Sequence, residues 1–277
     1  MRWLHFILSH SIFISICAAA LCFQTYQLLH ISASLYVYGL VFFATLSSYN
    51  FYWLISNYDF SFNAGDLRNY FIERFSNMFI LLIAGSGMAF CLYFLPAVLP
   101  AALVAVFLTI LYSIPLWPVK KLAFTRKAGF LKTGLLAFTW TFVTVMIPVQ
   151  QHVSVSIFAV GLLFTARFLF MLMLCVIFDS RDIHVDKIRS LSSLATDVSR
   201  KSLRLIMSVV FICYLIAGFI LRYYFDDNAQ LIAFLITGLM TLLVYRLSLK
   251  KQGYFFYYFL VDGLMLFSAA ATYVASI

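Results

Sequence analysis

Nine long apolar runs, separated by short polar or proline-containing breaks, constrain the fold of this chain more than any other sequence feature. Each run is close to the roughly 20 residues that an α-helix needs to cross the hydrocarbon core of a bilayer. Backbone polar groups must be paired in lipid, so such runs are expected to be helical. The sequence predicts an all-α, polytopic membrane helix bundle with nine transmembrane helices, at residues 3–23, 32–55, 77–95, 97–114, 130–149, 153–178, 203–221, 229–247 and 254–276.

The composition supports one integral-membrane domain that spans residues 1–277. The chain is 64% hydrophobic, whereas soluble domains are about 45–50% apolar. Its formal net charge is +9, but the basic residues lie in short loops, so nucleic acid is not an expected partner. All five cysteines lie inside apolar runs without metal-ligand spacing and are interpreted as small hydrophobic residues.

The distribution of Lys and Arg predicts the orientation of the chain. With a cytoplasmic N-terminus, 17 of the 19 Lys and Arg residues lie in segments on the cytoplasmic side. The exceptions are Arg222, in an external loop, and Arg167, within the sixth run. This asymmetry follows the positive-inside rule and predicts a cytoplasmic N-terminus and an external C-terminus. The short loops favour a bacterial inner (plasma) membrane.

Three carboxylates stand where the sixth apolar run meets a basic loop: Asp179, Asp182 and Asp186. Their offsets of i, i+3 and i+7 place them on one face of a helix. Carboxylates this close repel one another unless they are solvated, balanced by basic neighbours or bound to a cation. Mg²⁺ prefers such hard oxygen ligands. A solvated acidic helix end is the alternative interpretation.

Two further charges are predicted to lie inside the membrane. Arg167 in the sixth run and Asp262 in the ninth run have similar predicted depths. Because unpaired charges are costly there, we expect a structural contact between these two residues. The functional alternative is that Arg167 lines the floor of a cavity and binds an anionic acceptor.

The acidic pattern resembles the second aspartate box of the UbiA superfamily of intramembrane prenyltransferases. Asp179, Asp182 and Asp186 fit its Asp-x-x-Asp-x-x-x-Asp spacing, within the segment Phe178-Asp-Ser-Arg-Asp182. Tyr112, followed by a basic cluster and Phe130-Leu-Lys132, is similar to the family's tyrosine and basic stretch. The resemblance implies nine helices around a central cavity that opens to the cytoplasmic side.

The first aspartate box of the family is degenerate here. The family pattern begins with Asn-Asp at the end of the second helix. In this chain Asn50 is retained, but Phe51, Leu54 and Tyr58 occupy the three aspartate positions, and Asp59 lies one place late. The departure bears on the number of metal ions and on catalysis itself.

The resemblance implies a Mg²⁺-dependent prenyltransferase that moves an isoprenoid from its diphosphate to a lipophilic or aromatic acceptor, in contact with membrane lipids. The three box aspartates are expected to be catalytic and to hold Mg²⁺, and Asn50 and Asp59 to complete the metal site. The expected substrate-binding residues are Asn50, Tyr112, Lys120, Lys121, Lys132 and Arg181. Two alternatives remain: a non-catalytic relative that binds a polyprenyl lipid, and a secondary transporter with an acidic coupling site.

Overall fold

The computed structural model describes residues 2–56, 67–113, 129–152, 155–188, 194–225 and 228–277, with the side chains of 2, 53–56, 67–74, 130, 182–188 and 225 outside the description. Every regular element in these ranges is helical. The helices are α1 (Arg2–Ser9), α2 (Ile12–Leu28), α3 (Leu35–Ser56), α4 (Leu67–Phe94), α5 (Leu99–Ser113), α6 (Gly129–Thr141), α7 (Ile157–Ile188), α8 (Leu194–Asp197), α9 (Arg200–Phe225), α10 (Asn228–Ser248) and α11 (Asp262–Ala275).

Two π-helical segments adjoin these helices. Phe142–Met146 follows α6 and leads into a short turn of α-helix at Ile147–Val149. Phe256–Val261 directly precedes α11. Such segments insert an extra residue per turn and occur frequently at functional sites, because they redirect the side chains that follow.

The helices pack as a ring that closes between the two ends of the chain. Helix α2 packs against α11, α11 against α10, α10 against α9, α9 against α7, α7 against α6, and α6 against α5. The π-helical segment after α6 also contacts α2, and the α3–α4 pair packs beside α2. The long helix α7 therefore has neighbours on several sides, which explains why its apolar residues are so extensively buried.

Each of the nine predicted runs is occupied by helix where it is described. Seven helices are long and apolar enough to cross a membrane, or eight if α1 and α2 count as one broken span. Helix α3 has 22 residues, about 33 Å at 1.5 Å per residue, but it falls outside that count. The multi-pass helical architecture is confirmed, while nine membrane crossings stay a prediction.

The first predicted span differs most from the structure. It is broken at His10 and Ser11, where the axes of α1 and α2 diverge by 68°. Ser11 has a left-handed backbone, with a φ of 61°, which an uninterrupted right-handed helix does not allow. The polar sequence Ser9-His10-Ser11 thus ends one helix and starts another.

The outer faces of the helices remain strongly apolar. Phe75 and Leu82 on α4, Phe107 on α5 and Ile212 on α9 are exposed. A soluble monomer rarely shows such continuous apolar surface, whereas a lipid-facing surface requires it. The exposed residues therefore agree with a bundle whose perimeter contacts acyl chains.

Candidate functional site

Asp179 is fixed by a hydrogen bond from the neighbouring helix. The Thr133 hydroxyl of α6 donates to Oδ2 of Asp179 on α7 at 2.5 Å. The same hydroxyl lies 3.1 Å from the Gly129 carbonyl oxygen and accepts a bond from the Leu194 backbone N–H at 3.4 Å. Thr133 is buried. Three helices, α6, α7 and α8, are thereby joined at the first carboxylate of the acidic pattern.

The helical setting of the acidic pattern is confirmed. Helix α7 continues without interruption to Ile188, so positions 179, 182 and 186 lie on one face of the helix. The side chains of Asp182 and Asp186 lie outside the described residues. Their binding of Mg²⁺ therefore stays a prediction.

Arg181 lies among three aromatic rings. Its Cζ atom is 5.2 Å from the centroid of the Phe178 ring, 5.2 Å from that of Tyr257 and 5.1 Å from that of Tyr258. These distances are within the range of cation–π attraction, which is strongest where water is excluded. The rings hold the guanidinium between α7 and the π-helical segment before α11. The predicted substrate-binding residue Arg181 thus faces the C-terminal helix.

Asp262 interacts with this guanidinium. It is the first residue after the π-helical segment Phe256–Val261, and only 3% of its surface is exposed. The interaction of its carboxyl group with Arg181 is electrostatic. A buried carboxylate inside a membrane span is costly and generally faces the bundle interior beside an opposite charge. Arg181 supplies that charge.

Arg167 has different partners. Its Nη1 donates to the Leu21 carbonyl oxygen at 3.1 Å, and its Nη2 donates to Oε1 of Gln24 at 2.8 Å. The Nε2 of Gln24 in turn donates to Ser268 Oγ at 3.0 Å and to Thr272 Oγ1 at 2.7 Å. This buried network links α7 to α2 and α11.

The predicted contact between Arg167 and Asp262 is therefore wrong. Depth along the bundle restricts only the height of two residues, whereas rotation about each helix axis decides which neighbour they meet. Arg167 faces α2, and Asp262 lies near Arg181. The alternative role of Arg167 in binding an anionic acceptor is not supported either, because the cavity beside it measures about 10 Å³, room for one water at most.

Asn50 is completely buried at the break between α1 and α2. Its amide group donates to the His10 carbonyl oxygen at 3.1 Å and to the Leu46 carbonyl oxygen at 2.8 Å. Its Oδ1 atom has no hydrogen-bond partner among the described residues. These bonds tie α3 to the N-terminal helices rather than to Asp179. The free oxygen is a hard donor of the kind that Mg²⁺ accepts.

Tyr49 connects Asn50 to the rest of the site. Its ring centroid lies 6.3 Å from that of Trp140 on α6, and its hydroxyl interacts electrostatically with Asp262 and Tyr112. Tyr112, predicted to bind substrate, is thus placed beside the same interior. Lys132 is half-buried on α6, one residue before Thr133.

Three predicted ligands are outside the described residues: Asp59, Lys120 and Lys121. Within the described part of the chain, no group of three His, Cys, Asp or Glu residues is placed to hold a metal ion. The oxygen donors that are described, the Asp179 carboxylate and Asn50 Oδ1, have the chemistry that suits Mg²⁺.

Sequence reasoning missed several residues of the site. Thr133 carries no motif, since a threonine that follows a lysine in an apolar run has no distinguishing signal. Tyr49, Trp140 and Tyr258 are three among many aromatic residues. Asp262 was recognised as an unusual intramembrane acid, but the partner assigned to it was incorrect.

Comparison with known proteins places the fold. No known protein family matches the sequence, and no curated protein matches it. A solved structure does match: the apo structure of a UbiA homolog from Aeropyrum pernix K1, with a TM-score of 0.60, 14% sequence identity, and 94% of this chain and 96% of that chain covered. At this identity the similarity concerns the fold. This chain therefore has the UbiA-like fold, an all-helical multi-pass membrane architecture.

Proposed function

We propose that this chain is a divergent member of the UbiA superfamily and a Mg²⁺-dependent intramembrane prenyltransferase. The observation that carries the proposal is Asp179, held by Thr133 at the start of a three-acid pattern on one face of α7. That pattern lies in a chain whose fold matches a UbiA homolog over 94% of its length. The proposed substrates are a prenyl diphosphate and a lipophilic or aromatic acceptor.

The residues of the chain would divide the work as follows. Asp179, Asp182 and Asp186 hold the metal, and the unpaired Oδ1 of Asn50 is available as a further oxygen donor. When bound, Mg²⁺ would neutralise the charge that develops on the departing diphosphate. Lys132, and Lys120 and Lys121 outside the described residues, would contact the diphosphate oxygens.

The aromatic residues would surround the isoprenoid. An allylic cation requires apolar walls that exclude water, and aromatic faces stabilise positive charge. Tyr49 and Trp140 lie against one another on the inner surfaces of α3 and α6. They would contact the prenyl chain close to the carbon that is transferred.

The proposed setting is a bacterial inner (plasma) membrane, with a cytoplasmic N-terminus and an external C-terminus. The supporting observation is the concentration of Lys and Arg in alternate loops. In this orientation, the acidic end of α7 faces the cytoplasm, where soluble prenyl diphosphates are supplied. Membrane lipids surround the bundle.

The test is a turnover assay with purified protein in lipid nanodiscs. Prenyl diphosphates of several chain lengths are combined with a panel of aromatic acceptors, with Mg²⁺ or with a chelator. We expect a prenylated acceptor and stoichiometric diphosphate release only with Mg²⁺. The absence of both products with every combination, from protein that remains folded, would overturn the proposal.

A second candidate function is supported by the degenerate first box. Phe51, Leu54 and Tyr58 stand where the family has aspartates, which is the pattern expected of a non-catalytic relative that binds a polyprenyl lipid. Such a protein would retain a prenyl lipid through purification yet show no turnover. A secondary transporter is less well supported, because Arg167, which suggested it, is engaged by Leu21 and Gln24.

A further inference from the structure

Asp262 is a buried acid that no part of the proposed mechanism uses. It lies within a membrane span, with 3% of its surface exposed, directly after a π-helical segment. None of the described residues donates a hydrogen bond to its carboxylate, whose one charged neighbour among them is Arg181. A buried carboxylate without donors is costly to maintain, and intramembrane acids of this kind generally serve function.

The position of Asp262 relates it to the acidic end of α7. The thiol of Cys175, one helical turn before Asp179, interacts electrostatically with both Asp179 and Asp262. Cys175 therefore lies between the two carboxylates. Since Asp179 belongs to the diphosphate end of the proposed site, Asp262 lies on its inner side, where the acceptor must approach.

The surroundings of Asp262 are suited to a flat acceptor. Tyr49 interacts with its carboxyl group from α3, and the rings of Tyr257 and Tyr258 flank Arg181 beside it. Aromatic faces on this scale favour offset stacking with another ring. The polar atoms available to such a ring are the oxygens of Asp262, which accept hydrogen bonds when ionised.

A carboxylate on the acceptor would meet the wrong charge here. Arg181 already balances Asp262 and is surrounded by rings. Arg167 already donates to Leu21 and Gln24. Among the described residues at this depth, both guanidinium groups are thus engaged, and a carboxylate placed near Asp262 and Asp179 would be repelled.

We infer that Asp262 is the polar anchor of the acceptor site and selects acceptors that present a neutral hydroxyl or N–H donor over those that present a carboxylate. The donor would hydrogen-bond to the Asp262 carboxylate while the ring stacks on the neighbouring tyrosines. This inference rests on the proposed function and names its acceptor class.

The test measures binding separately from turnover. A naphthol and the same naphthol carrying a carboxylate are titrated into the full chain in nanodiscs by isothermal calorimetry, with a non-hydrolysable prenyl diphosphate and Mg²⁺ present. We expect the naphthol to bind at least ~10-fold more tightly than its carboxylated partner, the worth of one charge-assisted hydrogen bond. In Asp262→Asn the ratio should fall to within about threefold, because the repulsion is removed and the hydrogen bond is weaker.

Asp197→Asn is the matched control, since Asp197 is an exposed acid on α8 and its loss should leave the ratio unchanged. Equal binding of the two probes by the wild-type chain, preference for the carboxylate, binding of neither probe, or an unchanged ratio in folded Asp262→Asn would overturn the inference. The expected ratio without any prenyl transfer would instead defeat the proposed function while leaving Asp262 as a donor-selecting site.

Discussion

The hydroxyl of Thr133 lies 2.5 Å from Oδ2 of Asp179, so that α6 and α7 are joined at the first carboxylate of the acidic pattern. A hydroxyl-to-carboxylate bond of this length is a strong, charge-assisted one. It uses one lone pair of Asp179 and fixes the direction of the others. Carboxylates that bind metals are commonly oriented by such a bond, and its loss is felt at the metal.

Replacing Thr133 with valine should therefore reduce prenyl transfer by about 10–100-fold, the usual cost of losing a residue that orients a metal ligand. The half-saturating Mg²⁺ concentration should rise as well. Thr133→Ser keeps the hydroxyl and serves as the control, with activity close to that of the wild type. Initial rates across a Mg²⁺ series test this prediction, and a valine variant with wild-type rate and wild-type Mg²⁺ dependence would refute it.

The aromatic surroundings of Arg181 predict a dependence on ring faces. Tyr258→Ala should lower the apparent affinity for prenyl diphosphate by about 3–30-fold, because a cation–π contact in a desolvated place contributes ~0.5–2 kcal/mol. Tyr258→Phe retains the ring and should behave like the wild type. The measurement is KM for the diphosphate. Equal KM values for the alanine and phenylalanine variants would show that the ring contributes nothing.

Arg167 should act on stability. Arg167→Leu leaves Oε1 of Gln24 and the Leu21 carbonyl oxygen without their donor, and hydrogen bonds to charged groups contribute about 1.5–3 kcal/mol. We expect a clearly lower unfolding temperature in detergent and poor recovery of folded protein. Adding Asp262→Leu should not restore stability, because Asp262 interacts with Arg181 instead. Recovery in the double variant would reinstate a direct Arg167–Asp262 contact.

The degenerate first box predicts weak Mg²⁺ binding. With Phe51, Leu54 and Tyr58 in place of carboxylates, fewer anionic ligands meet the cation, and affinity for hard cations falls with ligand charge. Activity should saturate only at high Mg²⁺ concentration, with a Hill coefficient near one. Tight, cooperative activation that requires two ions would contradict this expectation.

The sequence predicted the fold because hydropathy, run length and Lys/Arg placement all indicate the same helices, as the continuous α7 illustrates. It did not predict the break at Ser11, where a left-handed backbone interrupts an apolar run. The spacing of Asp179, Asp182 and Asp186 predicted a shared helix face, since that depends only on local periodicity. The neighbours of Asp262 and Arg167 depend on how helices rotate against one another, and no local pattern encodes that rotation.

The most direct test of the proposed function is the rate of Mg²⁺-dependent prenyl transfer by Asp179→Ala and Asp182→Ala, measured beside the wild-type chain in the same nanodiscs. Both aspartates lie at the end of α7 rather than in the packed core, so both variants should unfold at the wild-type temperature. We predict a loss of at least ~100-fold in rate for each, about 2.7 kcal/mol of transition-state stabilisation. Wild-type rates in both variants would contradict a role for the acidic pattern in catalysis.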